Sequence, residues 1–184
     1  MLKTEKKEER PMYLKKDTYT YEEVRPLVEA ALEDRARYLA FFYKVMPKEL
    51  FDLYAKKALY AYGAWKATGM GKGAGSEGNP AGLAQFLCSC NGVANTLAVG
   101  NRIVEQTEDT ATVRMEGKCA LVQGWENMGL TPEEVAYMCE IASYGDFGHS
   151  EALNLNGEWL CTSAQPGCEY CDCKIGPFVK KTEV

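Results

Sequence analysis

Two consecutive segments with apolar residues at four-residue spacing, separated by a proline, constrain the fold of this chain most strongly. The first segment opens at Thr20 with Glu23 three residues later, the capping-box signature of a helix start. Met46 precedes Pro47, and a residue before proline leaves the helical region, so the first helix is predicted to end there. A second helix is predicted to run to about Thr68. The two helices should form an antiparallel pair.

Both predicted helices carry a stripe of apolar and aromatic side chains, as amphipathic helices do. Aromatic stripes line a core more often than a ligand pocket. We therefore expect both stripes to be buried against a sheet or another helix. The first stripe comprises Leu27, Val28, Ala31, Leu32, Tyr38, Leu39, Phe42 and Tyr43, and the second comprises Leu50, Leu53, Tyr54, Ala58, Ala61 and Trp65.

After the helix pair the apolar spacing changes from four residues to two. Apolar residues at 111, 113 and 115 alternate with polar residues at 112, 114 and 116, which predicts a strand over residues 110–118 with one solvated face. Together with residues 96–107 this strand should form a hairpin. A second hairpin is predicted from strands at residues 158–164 and 170–175, because a Gln-Pro-Gly turn separates them.

Two helices are predicted between the hairpins. The first should run from Cys119 to Met128 and end at Gly129, a residue type that favours the left-handed cap position. The second begins at Thr131, which is followed by a proline and two glutamates, and is predicted to end at Gly145. The order of helices, hairpin, helices and hairpin predicts an α+β fold. An N-terminal antiparallel helix pair would pack on an antiparallel sheet of two hairpins.

The chain is predicted to divide into four segments. Residues 1–17 should be a flexible charged arm, and residues 18–68 a helical layer. Residues 69–82 read GMGKGAGSEGNPAG and are predicted to be a linker or an active-site lid. This segment does not match a phosphate-binding loop, because a helix precedes it and neither glycine pattern is complete. Residues 83–184 should form the α+β core.

Charge and hydropathy exclude several classes of function. The formal net charge of -5 argues against nucleic acid as the main partner. No stretch approaches the roughly 20 apolar residues of a membrane span, and the N-terminus lacks the apolar centre of a secretory signal. We expect a cytoplasmic protein whose thiols stay reduced. The expected partners are a small-molecule substrate or ligand and a second copy of the chain, bound through the N-terminal helices.

Five of the eight cysteines lie between residues 139 and 173. A Cys-x2-Cys spacing lets two thiolates bind one ion from a tight turn, which predicts zinc or iron as a cofactor. Core packing is the alternative, because on a strand Cys171 and Cys173 would share one face and could equally pack in the interior. A structural zinc site would also need a second Cys-x2-Cys pair, whereas Cys88 and Cys90 have one intervening residue. The candidate metal ligands are Cys161, Cys168, Cys171 and Cys173.

A nucleophilic thiol needs a nearby base, and His149 is the only imidazole in the chain. A dyad therefore joins His149 to one of the cysteines or is absent, and a histidine in a surface turn is the alternative. Asp146 and Asp172 are further candidates for orienting groups or bases. Asp172 alternates with two cysteines, so on a strand it should face the opposite side, toward water.

From Cys119 onward the sequence resembles the L-2-amino-thiazoline-4-carboxylic acid hydrolase-like family. The shared features are a cysteine that closes a strand, a helix ended by Gly129, a second helix containing Cys139, and Asp146 after it. The resemblance covers roughly residues 90–176 and ends in a Thr-x4-Gly-x3-Cys-Asp pattern. That pattern is formed by Thr162, Gly167, Cys171 and Asp172. The chain departs from the family at Cys173, where an aromatic residue is common, and in its additional cysteines.

The resemblance implies cleavage of a carbon-nitrogen bond in a cyclic amidine, in the way that an aminothiazoline ring opens toward S-carbamoyl-cysteine. It makes residues 83–184 a hydrolase-like core in which Cys119, Cys139 and Cys171 line one pocket beside the C-terminal hairpin. Thr162 and Asp172 would contact the substrate. Arg102 or Arg114 would bind its carboxylate, and the alternative for either arginine is a solvated strand residue. The alternative is a noncatalytic sensory domain that binds a small ligand or a metal, similar to vinyl-reductase-type sensor domains.

Overall fold

The structure, a computed structural model, describes residues 18–89 and 100–179. Within these ranges, five helices and a four-stranded antiparallel sheet confirm the predicted α+β class. None of the described helices has the length and hydropathy needed to cross a membrane. The helices are α1 (Tyr21–Val45), α2 (Lys48–Thr68), α3 (Pro80–Leu87), α4 (Ala120–Asn127) and α5 (Pro132–Glu151). The strands are β1 (Asn101–Gln106), β2 (Ala111–Met115), β3 (Leu155–Cys161) and β4 (Cys171–Pro177).

The N-terminal helices begin and end close to the predicted residues. The Thr20 hydroxyl accepts the backbone N–H of Glu23 at 3.4 Å, and the Glu23 carboxylate accepts the N–H of Thr20 at 3.1 Å. Met46 and Pro47 separate α1 from α2. The two helices contact each other little, because α1 packs mainly on α4 and α2 mainly on α5. Each helix of the pair is thus supported by a different partner.

Helix α5 corrects one prediction, because it continues through Gly145 to Glu151. Gly145 belongs to a close crossing with α2. A Cβ on Gly63 would lie 1.8 Å from the Gly145 carbonyl oxygen, and a Cβ on Gly148 would lie 2.0 Å from the Tyr60 carbonyl oxygen. These glycines permit backbone-to-backbone packing and do not end the helix.

The four strands form one sheet in the order β1-β2-β4-β3. Both predicted hairpins are present, as β1 with β2 and as β3 with β4. They join through β2 and β4, where Val113 is paired with Cys173 and Arg114 with Asp172. Residues 96–99 of the first predicted hairpin lie outside the described residues. Strand β4 is therefore central, and its Cys-Asp-Cys run is buried.

Two apolar cores hold these elements together. One lies among α1, α2, α4 and α5, and the other lies between the sheet and α3. The first contains Ala36, Ala40, Phe51, Val122, Trp125, Leu130, Val135, Met138 and Ile141. The second contains Ala67, Leu83, Ala84, Ala111, Val113, Leu153, Leu155, Cys173 and Ile175.

The predicted burial of the helix stripes is wrong for α2 and for half of α1. The inward side of α2 carries Phe51, Gly63 and Ala67, because the glycine crossing brings backbone rather than large side chains against α5. The exposed residues of the predicted α2 stripe are Leu50, Leu53, Tyr54, Ala58, Ala61 and Trp65. On α1 the exposed members are Leu27, Ala31, Tyr38 and Phe42, and the half-buried members are Val28, Leu32, Leu39 and Tyr43.

The glycine-rich segment between α2 and α3 packs against the end of α5. The N–H of Gly78 donates to the Leu153 carbonyl at 2.8 Å, and the Asn154 amide donates to the Glu77 carboxylate at 2.6 Å. These hydrogen bonds attach the segment to the loop that leads into β3.

Candidate active site

Three free thiols that were predicted to share a pocket come from three different elements. Cys119 is the N-cap of α4, Cys139 lies on α5, and Cys171 begins β4. Cys171 acts electrostatically on the pKa of both Cys119 and Cys139, and Cys119 acts on Cys139. The structure therefore brings the three sulfur atoms into one neighbourhood.

The loop between β3 and β4 supplies polar partners for two of these thiols. The Ser163 N–H donates to the Cys171 sulfur at 3.1 Å, and the Cys171 thiol lies 3.4 Å from the Ser163 hydroxyl oxygen. The Thr162 side chain forms a hydrogen bond with Cys139. This loop thus holds the orientation of Cys139 and Cys171.

Burial controls the protonation of two of the thiols. It raises the pKa of Cys139 to about 12, more than the hydrogen bond from Thr162 lowers it. Burial also raises the pKa of Cys119, although the backbone N–H groups of Val122 and Leu121 act in the opposite direction. Both groups are therefore neutral thiols near pH 7. Because the thiolate is the nucleophilic form, neither is prepared for attack.

Asp146 lies two helical turns after Cys139, on the same side of α5. Its charge raises the pKa of Cys119, Cys139 and Cys173. Asp146 is exposed to solvent, yet the protein around it desolvates the carboxyl group and raises its pKa. The thiol cluster consists of the residues that these electrostatic contacts connect, which are Cys119, Cys139, Asp146, Cys171 and Lys66.

Two cations from the N-terminal helices act on Asp146. Lys66 of α2 and Arg35 of α1 lower its pKa, but less than desolvation raises it. Desolvation lowers the pKa of Lys66, and Arg35 and Lys72 lower it further, while Asp146 opposes the shift. The thiol cluster thus pairs an acid whose pKa is raised with a cation whose pKa is lowered. Such pairs are typical of acid-base sites.

An open groove of about 940 Å³ runs between α5 and β3, with Cys139 and Thr162 in its lining. Cys139 therefore belongs both to the thiol cluster and to the lining of this α5/β3 groove. Its aromatic side chains are Tyr60, Tyr137, Tyr144, Phe147 and Trp159, and its carboxylates are Glu140, Glu151 and Glu158. Aromatic faces and carboxylates together favour organic cations.

The wall of the groove already holds one cation from the protein itself. The Lys56 ammonium lies 5.3 Å from the centroid of the Tyr144 ring and 3.6 Å from the Glu140 carboxylate. At the other end of this wall, the Tyr60 hydroxyl donates a hydrogen bond to Glu151, which raises the pKa of Tyr60 to about 12. The groove is therefore suited to a positively charged group at more than one position.

His149, the predicted partner of a cysteine, lies elsewhere. It is buried in the last turn of α5, and its Nε2 atom lies 3.0 Å from the Lys72 carbonyl oxygen. A carbonyl only accepts, so Nε2 carries the proton in this contact. Desolvation lowers the His149 pKa, which keeps the ring neutral. Among the described residues, no hydrogen bond or electrostatic contact connects His149 to a cysteine, so the structure does not assemble the predicted dyad.

The residues predicted to bind a carboxylate are already paired. Arg114 forms a bidentate ion pair with Asp172 at 2.8 and 2.7 Å and lies 3.7 Å from the centroid of the Tyr170 ring. Asp172 is therefore buried beside a cation, which corrects the prediction that it faces water. Arg102 pairs with Glu116. The cations that act on Asp146 come instead from the N-terminal helices.

The four cysteines predicted to bind zinc or iron are not arranged as a metal site. Cys161 and Cys168 form a disulfide with a Cα separation of 6.5 Å, so neither offers a thiolate, and they depart from the expectation that all thiols stay reduced. Cys173 packs in the second core, where burial raises its pKa. In the described ranges, no group of three or more metal-binding side chains is positioned to hold an ion. Cys90, half of the other predicted pair, lies outside those ranges.

Comparisons with known proteins identify the fold alone. No protein-family model matches the sequence, and no curated protein matches it. The structure is similar to that of a trafficking protein particle complex subunit 3 from Naegleria fowleri that was solved covalently bound to palmitic acid. The TM-score is 0.57 at 13% sequence identity, over 84% of this chain and 99% of that chain. The resemblance to the thiazoline hydrolase-like family stays a prediction.

Sequence reasoning missed Lys66, Arg35 and Ser163, and also the carboxylates of the groove. Charged residues on amphipathic helices and polar residues in hairpin loops are usually solvated, so nothing local distinguishes these. One signal was available on α5, where Tyr137, Tyr144 and Glu151 recur at seven-residue spacing and therefore share a face.

Proposed function

We propose that this protein is a small-molecule hydrolase that cleaves a carbon-nitrogen bond of a cyclic amidine or thiazoline-type substrate at the thiol cluster. The observation that carries the proposal is Asp146, an exposed acid whose pKa is raised by desolvation and which interacts with Lys66, Cys119 and Cys139. A general acid-base group works best when its pKa approaches the working pH. The raised pKa of Asp146 moves it in that direction.

The charges of the site match a small zwitterion. A cyclic amidine is a cation when protonated, and the aromatic rings and carboxylates of the α5/β3 groove favour such a group. A carboxylate on the same molecule would be attracted by Lys66 and Arg35, which already act on Asp146. These cations replace Arg102 and Arg114 in the role that the sequence suggested.

Water is the nucleophile that this arrangement favours, because burial keeps Cys119 and Cys139 protonated. Asp146 accepts a proton from the water that attacks the protonated amidine carbon, and the carbon-nitrogen double bond becomes single. Asp146 then returns the proton to the ring nitrogen as the ring carbon-nitrogen bond breaks. The hydroxyl proton passes to the amine freed by ring opening, which becomes an ammonium group of the same product molecule. The water oxygen becomes the carbonyl of a carbamoyl product.

The test is turnover of 2-amino-thiazoline-4-carboxylate, followed as S-carbamoyl-cysteine by mass spectrometry. Asp146→Asn should lower the rate constant by about 100-fold or more, since it removes a general acid-base group. Cys88→Ser is the matched control, because Cys88 is half-buried at the end of α3 and packs on the second core. The control should retain wild-type turnover.

The Cys171→Ser variant distinguishes attack by water from attack by the Cys171 thiol. If water attacks, the serine variant keeps most of its activity, whereas loss of turnover in this variant together with an active Asp146→Asn enzyme would assign attack to the Cys171 thiol. Wild-type protein without turnover of any cyclic amidine would reject the hydrolase proposal.

A noncatalytic ligand-binding domain is the second candidate, and the size and aromatic lining of the α5/β3 groove favour it. The trafficking subunit with the similar fold was solved with a covalently bound fatty acid. Native mass spectrometry and metal analysis of protein purified without added zinc or iron distinguish the candidates. A ligand or metal that co-purifies in stoichiometric amount, in protein with no turnover, would favour the binding domain.

A further inference from the structure

The N-terminal helices leave an unusual amount of apolar surface uncovered. Twelve of the seventeen exposed large apolar side chains in the described residues lie on α1 and α2. On α1 the exposed fractions reach 66% for Leu27, 68% for Tyr38 and 75% for Val45. Exposed apolar patches of this extent on a folded domain mark interaction surfaces.

The exposed residues are ordered along the two helices. On α1 they alternate at spacings of four and three, the heptad pattern of a helix that packs on another helix. They lie opposite Ala36 and Ala40, which face the first core. The outer stripe of α1 consists of Leu27, Ala31, Asp34, Tyr38, Phe41 and Val45. The outer stripe of α2 has the same kind of spacing and consists of Leu50, Tyr54, Lys57, Ala61 and Trp65.

We propose that the two outer stripes form the interface of a homodimer. Each stripe contains one charged residue, and the two charges are opposite: Asp34 on α1 and Lys57 on α2. Both are exposed, and neither has an ion-pair partner within the described part of the chain. In a two-fold interface every contact occurs twice. Asp34 would thus pair with Lys57 of the partner subunit, and Lys57 of the first subunit would form the symmetric pair.

The positions of these charges along the helices agree with this pairing. Asp34 lies twelve residues before Met46, and Lys57 lies ten residues after Pro47. At 1.5 Å per helical residue the two are about 18 and 15 Å from the turn that connects the helices. A second copy can pack on the outer stripes with its α2 opposite α1 and with both connecting turns at the same end. In that arrangement Asp34 and the partner's Lys57 lie at about the same height along the helices.

A second copy fits this surface better than a membrane does. Aromatic side chains are enriched at the centres of protein interfaces, and Tyr38, Phe41, Tyr54 and Trp65 supply them. A helix that binds anionic lipid carries a basic polar face. Here acidic and basic residues alternate, and two of them, Glu33 and Arg37, neutralise each other at 2.5 Å.

The test measures the oligomeric state of the full chain by sedimentation velocity, between about 1 and 100 µM. Wild-type protein should sediment at twice the chain mass of 20.4 kDa. Asp34→Lys and Lys57→Asp should each weaken association by about 10-fold, and the double exchange should restore it to near the wild-type value. Glu108→Lys, on the exposed β1-β2 turn, is the matched charge-reversal control and should leave association unchanged.

Three results would overturn the proposal. The first is wild-type protein that stays monomeric across this range. The second is a double exchange as weak as its single variants, which would place the charges apart. The third is a monomer that sediments with vesicles of anionic lipid, which would assign the stripes to a membrane. Circular dichroism of each variant checks that the total helix content is unchanged.

Discussion

Replacing Gly148 with alanine should loosen the crossing between α2 and α5. The added Cβ would lie 2.0 Å from the Tyr60 carbonyl oxygen, about 1.4 Å closer than ordinary contact at 3.4 Å. Both atoms belong to helix backbones, so neither can move without shifting a helix. The same crossing brings Lys66 of α2 to Asp146 of α5. The substitution should therefore affect both stability and the candidate site.

The expected loss of stability combines two opposing effects. Overpacking a well-filled contact costs about 3 kcal/mol when backbone must move. Alanine is a better helix former than glycine by about 1 kcal/mol. The net loss should be about 2 kcal/mol, which lowers the Tm of a domain of this size by about 4 to 8 °C.

Gly145 provides a matched control, because it lies three residues earlier in the same helix. A Cβ there meets only the Leu59 carbonyl oxygen, at an ordinary 3.6 Å. Gly145→Ala should therefore be neutral or stabilising by up to about 1 kcal/mol. Urea unfolding followed by tryptophan fluorescence measures both variants. Equal stability of the two variants would refute the inference that α2 and α5 touch backbone to backbone at Gly148.

Three further predictions test the surroundings of the site. Arg114→Ala should lower Tm more than Arg102→Ala, because Arg114 forms an ion pair with the buried Asp172. The exposed Arg102-Glu116 pair contributes less than about 1 kcal/mol. Equal losses of Tm in the two variants would contradict the buried pairing. Desolvation raises the Asp146 pKa, so the charged form opposes folding above that pKa and the penalty disappears as pH falls through it. Asp146→Asn should thus stabilise the fold at about pH 7 but not at about pH 4, and urea midpoints that differ equally at both pH values would disprove this. Reducing the Cys161-Cys168 disulfide, which closes a loop of sequence separation 7, should lower the free energy of unfolding by about 2 kcal/mol. Calorimetry with and without reductant measures this loss. An unchanged Tm in protein for which mass spectrometry shows two additional free thiols would contradict the prediction.

Local signals in the sequence predicted much of the secondary structure. The capping boxes at Thr20 and Thr131 and the break at Pro47 lie where helices begin and end in the structure. The positive φ of Gly129 agrees with its predicted position after α4. Each of these signals acts within one turn of helix, through hydrogen bonds between residues a few positions apart. These signals can therefore be recognised in the local sequence without information about the rest of the fold.

The same reasoning failed where a residue had more than one use. Gly145 was predicted to end a helix, but α5 continues through it, and its carbonyl group lies against Gly63 of α2. Asp172 was predicted to face water, but its neighbour across the sheet is Arg114 on β2. In each case the deciding partner is distant in sequence. Spacing within one element carries no information about it.

The sequence by itself determined the α+β class, the hairpins and the candidate thiols at residues 119, 139 and 171. Only the tertiary structure decided that Lys66 and Arg35 act on Asp146, and that the aromatic stripe of α2 faces outward. An amphipathic pattern defines which side chains share a face. Which face is buried depends on the partner helix, and here the small glycines of α2 and α5 let their backbones meet and left the larger side chains on the outside.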